Sequence, residues 1–286
     1  MIVDTHVHVT TENGPDYPQL AGAPEWPVTT IEKLSWEMDA LSIDAAVLVQ
    51  SFFTYGTDNG YAIDSAAKYP SRFTVVAVID QTAPNAPEAL TDLVKTHGVR
   101  GLRLMPKGHP EGVLTDPKTF PAWETATRLG IPVTVAAEAQ HIGQMWTMAK
   151  RFPDVAICFE HMWGLEFGPS LQVQLEPVLA LAQYPNVFLK LCPNNSHAIR
   201  NSPHSAKDLY GTLAETFNIK RLMFGSNYPA HTKKFGVLAD RLRVMQEDLA
   251  FLSQSDQDWF FSRTALGLWP IDCCIDKKAA DQRAPR

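Results

Sequence analysis

Residues 2–9 read Ile2-Val3-Asp4-Thr5-His6-Val7-His8-Val9, and the spacing within this octet sets the architecture. Val3, Thr5, Val7 and Val9 alternate with Asp4, His6 and His8. Successive side chains of an extended strand point to opposite sides, so the acid and both imidazoles share one face. Two imidazoles on a buried face need polar partners, because burying an unpaired polar group is costly. The lumen of a closed barrel, where polar groups from other strands converge, is the surface expected to receive them. A pair of packed histidines is the competing structural reading.

Seven further apolar runs follow, at 45–51, 73–80, 99–105, 132–138, 155–161, 186–192 and 221–226. Most are rich in Val, Ile, Leu and Phe without alternation, as in parallel strands covered on both faces. The segments between them carry helical spacing, for example Ile31-Leu34-Met38-Leu41 and Leu171-Leu175-Val178-Leu179. Eight strands alternating with helices give either a barrel or a doubly wound sheet. The even spacing favours an α/β (β/α)8 TIM barrel, and 286 residues lie near the roughly 250 of that fold. One barrel domain is expected over 1–270, followed by a polar tail over 271–286.

Hydrophobic residues make up 45% of the chain and the net charge is −6. That mildly acidic balance argues against nucleic acid or an anionic membrane as partner, since either favours a basic face. The four cysteines, Cys158, Cys192, Cys273 and Cys274, form no CxxC pair, which fits a reducing cytoplasm. The start MIVDTHVHV has no basic segment followed by a long apolar one, and no run reaches a membrane-spanning length. A cytoplasmic protein acting on a small anionic molecule is the expectation, with homo-oligomerisation left open.

Polar residues gather where the runs end: Gln50-Ser51, Asp80, Arg103, Glu138, Glu160-His161, Lys190 and Ser226-Asn227. In a parallel barrel those ends share the C-terminal mouth, where active sites sit. The stretch 10–30, rich in proline, reads as a mouth loop. Arg103 suits a carboxylate bidentately and Lys107 as a point charge. Lys190 alternates into the lumen, either to polarise a carbonyl or to form an ion pair with Glu160 or Asp4. His231 and Trp163 are further mouth candidates, with surface and core placements as their alternatives.

The DTHVH start, the strand-end histidine in FEHMWG, the KL of run 186–192 and GSNYP after the last run together resemble the amidohydrolase-related family. The resemblance extends to about Trp269. The segment VLVQSFFTYGTDN narrows it to the lactonase branch, which includes 2-pyrone-4,6-dicarboxylate and sugar lactonases. It implies a hydrolase that opens a small carboxylated lactone from aromatic or sugar-acid breakdown. His6, His8, His161 and Asn227 are then the catalytic positions. Ser51, Tyr55 and Thr57, with Arg103, Lys107, Glu138, His141 and Lys190, are the substrate-binding positions. Surface-turn placement is the alternative for the YGTDNG residues.

This chain departs from the family twice. Run 132–138 ends in Glu138, with His141 a turn later, where metal-dependent relatives carry a histidine. No cofactor is therefore the expectation, the alternative being a divalent metal, Zn or Mn, on His6, His8 and Glu138. The second departure is Asn227, where the family carries an aspartate. A carboxylate can take a proton from water and a neutral amide cannot. A deliberate replacement, a subgroup with another base and a protein without hydrolytic activity all remain compatible with it. A metal-dependent aromatic-acid decarboxylase and a non-hydrolytic ligand-binding barrel are the alternatives in function.

Overall fold

The computed structural model describes residues 1–106, 113–162, 165 and 167–271. Among the described residues eight strands form one parallel sheet in the order β1 to β8. They are β1 (Val3–Val7), β2 (Ala45–Val49), β3 (Phe73–Val78), β4 (Gly101–Leu104), β5 (Val133–Val135), β6 (Ile157–Glu160), β7 (Val187–Leu191) and β8 (Leu222–Phe224). Each falls inside one of the expected runs, and all but one of their residues are buried. The difference lies at the C-terminal ends, where the ladder stops early: Arg103, Glu160 and Lys190 stay on strands, while Gln50, Ser51, Asp80, Glu138, His161, Ser226 and Asn227 lie just beyond them.

The helices between strands bury the stripes that the spacing implies. Ile31–Ala40 buries Ile31, Leu34, Ser35 and Met38, one face at 3.6 residues per turn. Its first turn is capped by Thr30, whose hydroxyl accepts from the Lys33 N–H. Leu171–Ala180 buries Leu171, Leu175 and Val178. Phe120–Leu129 ends at Gly130, which takes the left-handed conformation at φ 65° that glycine adopts without penalty. Among the described residues no helix is long and apolar enough to cross a membrane. Cys158 and Cys192 are buried free thiols, and Ile271 still packs with Val3, Ala45, Ala265 and Leu266. The tail from residue 272 lies outside the described residues.

Closure occurs between β1 and the chain just past β8. The Asn227 N–H donates to the His6 carbonyl (2.7 Å) and the His8 N–H to the Tyr228 carbonyl (2.7 Å). The Thr5 hydroxyl donates to the Phe224 carbonyl (2.6 Å). The seam that turns the sheet into a barrel therefore runs through the residues singled out in the sequence. Thr10 and Thr29 exchange backbone hydrogen bonds of 3.0 and 3.2 Å, closing the neck of the 10–30 loop.

Candidate active site

The seam is tight because Gly225 lacks a side chain. A Cβ there would lie 2.8 Å from the Cβ of His6, so only glycine lets the two strands approach this closely. The next residues follow the same design. Asp4 Oδ1 accepts from the His6 N–H (3.0 Å) and the Ser226 N–H (2.8 Å). Burial raises the Asp4 carboxyl to about 6 despite these bonds. Asn227 turns at φ 56° and His161 at φ 61°, strained conformations for side-chain-bearing residues that cluster at functional sites. Arg241, fully buried, holds the loop by donating to the carbonyls of Ser226, Asn227, Ala230 and Gly236 at 2.6–3.0 Å.

The hydrogen bonds fix where the His8 proton sits. A carbonyl only accepts, so the 2.7 Å contact between His8 Nδ1 and the Val49 carbonyl places the His8 proton on Nδ1. Burial, reinforced by Arg103, holds the His8 imidazole down to about 3, so it is neutral and its Nε2 carries a lone pair. His6 Nε2 lies 3.3 Å from that atom. His6 is also neutral, held well below its usual range by burial, then by His161 and His8. Its single N–H can serve only one of two facing acceptors, the His8 Nε2 lone pair or Glu160 Oε1, which lies 3.6 Å from His6 Nδ1. Neither His6 Nδ1 nor Glu160 Oε1 has a hydrogen-bond partner.

Whichever acceptor that N–H serves, two acceptors are left facing each other in a dry interior, and they call for a cation. The His161 ring lies 4.3 Å from the His6 ring, centre to centre. Burial, then Arg103 and Lys190, keeps it neutral as well. Donor atoms of His6, Glu160 and His161 all lie within 4.8 Å of one another. Two imidazoles and a carboxylate are an ordinary set for a divalent transition metal, so these residues fit one. The sequence reading places a metal on His6, His8 and Glu138, whereas the donor atoms that cluster in the structure are those of His6, Glu160 and His161; Glu138 Oε2 accepts from the Gln140 amide at 2.8 Å.

Arg103 and Lys190 take places set by barrel closure. Arg103 donates through Nε (3.1 Å) and Nη2 (2.8 Å) to Glu160 Oε2, and through Nη1 to the Gln50 carbonyl (3.2 Å). It is thus first the counter-ion of a buried carboxylate. Lys190, fully buried, donates to the Thr5 carbonyl (2.9 Å) and lies 4.8 Å from the centre of the Trp269 ring. Its ion pair with Glu160 or Asp4 does not form; Arg103 has Glu160, and burial lowers the ammonium from its usual range.

Above this cluster a cavity of about 580 Å³ opens at the C-terminal mouth. His8, Arg103 and Asn227 reach it from below, with Glu138 and Asn194 beside them. His6, Glu160, His161 and Lys190 are buried and are not among the residues that line it. The side wall is Gly22, Pro24 and Trp26 from the 10–30 loop, Phe52 and Phe53 after β2, and Ala230, His231, Lys234 and Phe235 after β8. Trp26 stacks on His8 with ring centres 5.5 Å apart, and the Lys234 ammonium lies 5.1 Å from the centre of the Phe235 ring.

Several residues expected at the mouth sit elsewhere. Ser51 donates to the Thr54 hydroxyl (2.9 Å), and the Tyr55 hydroxyl accepts from the Thr11 N–H (2.9 Å). Thr57 faces a separate surface hollow. The cause is a single helical turn over Phe52–Tyr55, which breaks the strand period and presents Phe52 and Phe53 instead. His141 is buried and accepts on Nδ1 from the Glu138 N–H (3.1 Å), off the cavity wall. Lys107 and Trp163 lie outside the described residues. Trp26, Asn194, Lys234 and Phe235 were not anticipated. The 10–30 loop signal pointed to the first; Asn194 lies in the first turn of the helix Pro193–Arg200, and Lys234 and Phe235 lie on the single turn Thr232–Phe235, too short to show a period.

The family described as Amidohydrolase matches residues 3–271, a span that holds every strand and the whole cluster. The chain belongs to the amidohydrolase family. An L-fucono-1,5-lactonase of Burkholderia ambifaria is 23% identical over 193 residues, covering 65% of this chain and 65% of the relative. The chain thus spans just under two thirds of that relative's length. A solved structure from Acinetobacter baumannii, described as a probable 2-pyrone-4,6-dicarboxylic acid hydrolase with citric acid bound, superposes with a TM-score of 0.77. Its identity is 19%, over 93% of this chain and 98% of that one. An amidohydrolase of Burkholderia multivorans with bound zinc also reaches 0.77, at 15% identity, over 95% and 99% of the two chains. At these identities both structures speak for the fold.

Proposed function

We propose that this amidohydrolase-family protein opens a small carboxylated lactone. Carrying the reading is one observation: donors and proton acceptors meet on a single cavity floor. Arg103 and the Asn227 amide can donate to a carbonyl oxygen, while Glu138, the one carboxylate among the described cavity residues, can accept a proton. Water adds to the lactone carbonyl carbon, the developing oxyanion takes hydrogen bonds from Arg103 and Asn227, and Glu138 receives the water's proton. The ring C–O bond then breaks and its oxygen leaves protonated, so one water is consumed and one hydroxy acid formed. His8 is not an oxyanion donor, because its only N–H goes to Val49. The names of the Burkholderia ambifaria and Acinetobacter baumannii relatives support the reading.

A divalent metal, when bound, would polarise a carbonyl and acidify water; His6, Glu160 and His161 are the residues that would hold it, and the zinc-bound Burkholderia multivorans neighbour supports metal binding as such. The deciding assay is a panel of lactones offered to the protein and to Asn227→Asp, each with and without added zinc or manganese. Hydrolysis of at least one carboxylated lactone is expected. Decarboxylation of an aromatic acid with no lactone opened would replace this reading with the decarboxylase.

A further inference from the structure

The wall of the cavity chooses among lactones more sharply than its floor does. Trp26, Phe52, Phe53 and Phe235 face it with one hydrogen-bonding group among them, the indole N–H. A sugar lactone would press several hydroxyls against rings that cannot satisfy them, at a cost for each. A flat unsaturated ring would instead stack on those faces.

Charge on the wall narrows the class further. Arg103 is held by Glu160 and the Gln50 carbonyl. Lys234 has no carboxylate within ion-pair distance among the described residues, and its ammonium rests against Phe235. Glu138 lines the same cavity and repels a second negative group. We propose that the preferred lactone has a flat, unsaturated ring with a single carboxylate, anchored by Lys234. The inference rests on the lactone reading, but selects a class different from either the sugar lactone or the dicarboxylate named for the relatives.

The test pairs binding with turnover. Calorimetry of benzoate, isophthalate and gluconate against the intact protein reads the cavity without chemistry. Benzoate should bind about tenfold tighter than the other two, and Lys234→Gln should weaken it by about fivefold, the size of a partly exposed ion pair, while Lys234→Arg restores it. In hydrolysis, 2-pyrone-5-carboxylate should show a lower KM than 2-pyrone-4,6-dicarboxylate or glucono-1,5-lactone, and Lys234→Gln should raise KM with kcat unchanged. Gluconate or isophthalate binding as tightly as benzoate, absence of benzoate binding, or indifference to Lys234→Gln would overturn the inference. Fast opening of the sugar lactone would overturn it and leave the lactone reading standing. The expected binding order with no lactone opened would overturn the lactone reading, and with it the preferred lactone, leaving only the cavity's preference for a flat ring with one carboxylate.

Discussion

His6, His8, Glu160 and Asn227 stand on strands or within three residues of one, and none is more than 3% exposed. Phe52, Phe53, Lys234 and Phe235 stand on single helical turns at Phe52–Tyr55 and Thr232–Phe235, and Phe53 is 40% exposed. The first group is held by barrel closure, a neighbour's missing Cβ and the hydrogen bond of His8 to the Val49 carbonyl. The second is held by ring contacts and, after β8, by the bonds of Arg241 to the carbonyls of Ala230 and Gly236. A buried polar cluster ties chemistry to stability, whereas an exposed apolar wall can change its ligand without changing the fold.

Acid should strain the floor first. In metal-free protein His6, His8 and His161 stay neutral when folded but take a proton near 6.5 when unfolded. Their folded values are depressed, so their contribution is present above the ordinary value and lost as pH falls through and below it. At roughly pH 5 the loss is about 2 kcal/mol for each imidazole that remains neutral. Asp4, raised to about 6, acts oppositely, adding stability as pH falls from about 6 toward the ordinary carboxyl range. Three imidazoles outweigh one carboxyl, so the urea midpoint should drop between neutral pH and about pH 5. A flat profile would mean that the three rings are not buried together. Saturating zinc should raise the midpoint at neutral pH, and His161→Ala should abolish that rise.

Arg103→Ala removes the counter-ion of buried Glu160 and should cost about 3–5 kcal/mol in chemical denaturation. A loss confined to KM would move Arg103 from the floor to the wall. Asn227→Asp replaces an oxyanion donor by a carboxylate and should lower kcat by about a hundredfold. A rise in kcat would instead make residue 227 a better proton acceptor than Glu138, to be checked by Glu138→Gln.

The floor was legible in the sequence to the extent that strand geometry is local. Alternation put Asp4, His6 and His8 on one face, and strand ends put Arg103, His161 and Asn227 at one mouth. Which cation would neutralise Glu160 was not legible. Glu160 and Lys190 are register neighbours on β6 and β7, yet Arg103 from β4 reaches across the lumen to it. That choice depends on how the closed barrel tilts, which no spacing records. On the wall, one helical turn was enough to exchange Ser51, Tyr55 and Thr57 for Phe52 and Phe53, and four residues are too few to show a helical period.

Gly225→Ala probes the seam between these regimes. Its new methyl group must displace His6, at about 1–3 kcal/mol, and activity should fall with the melting temperature. Phe53→Ala should be the mildest change, within about 0.5 kcal/mol in stability, with KM raised and kcat kept. If Phe53→Ala destabilises as much as Gly225→Ala, the wall is part of the core and the contrast fails.

Arg241 gives that contrast a consequence for how such a protein could be altered, by evolution or by design. One side chain on the helix Leu238–Asp248 gathers carbonyls of residues 226, 227, 230 and 236, so the segment bearing Asn227, His231 and Lys234 has its fastener downstream of itself. A transplant of that loop into another barrel would carry the ligand-selecting residues but leave behind the part that shapes them. The heritable unit is the stretch from Gly225 through Arg241. A recombination point placed beyond Arg241 should yield a working chimera more often than one placed between Gly236 and Arg241.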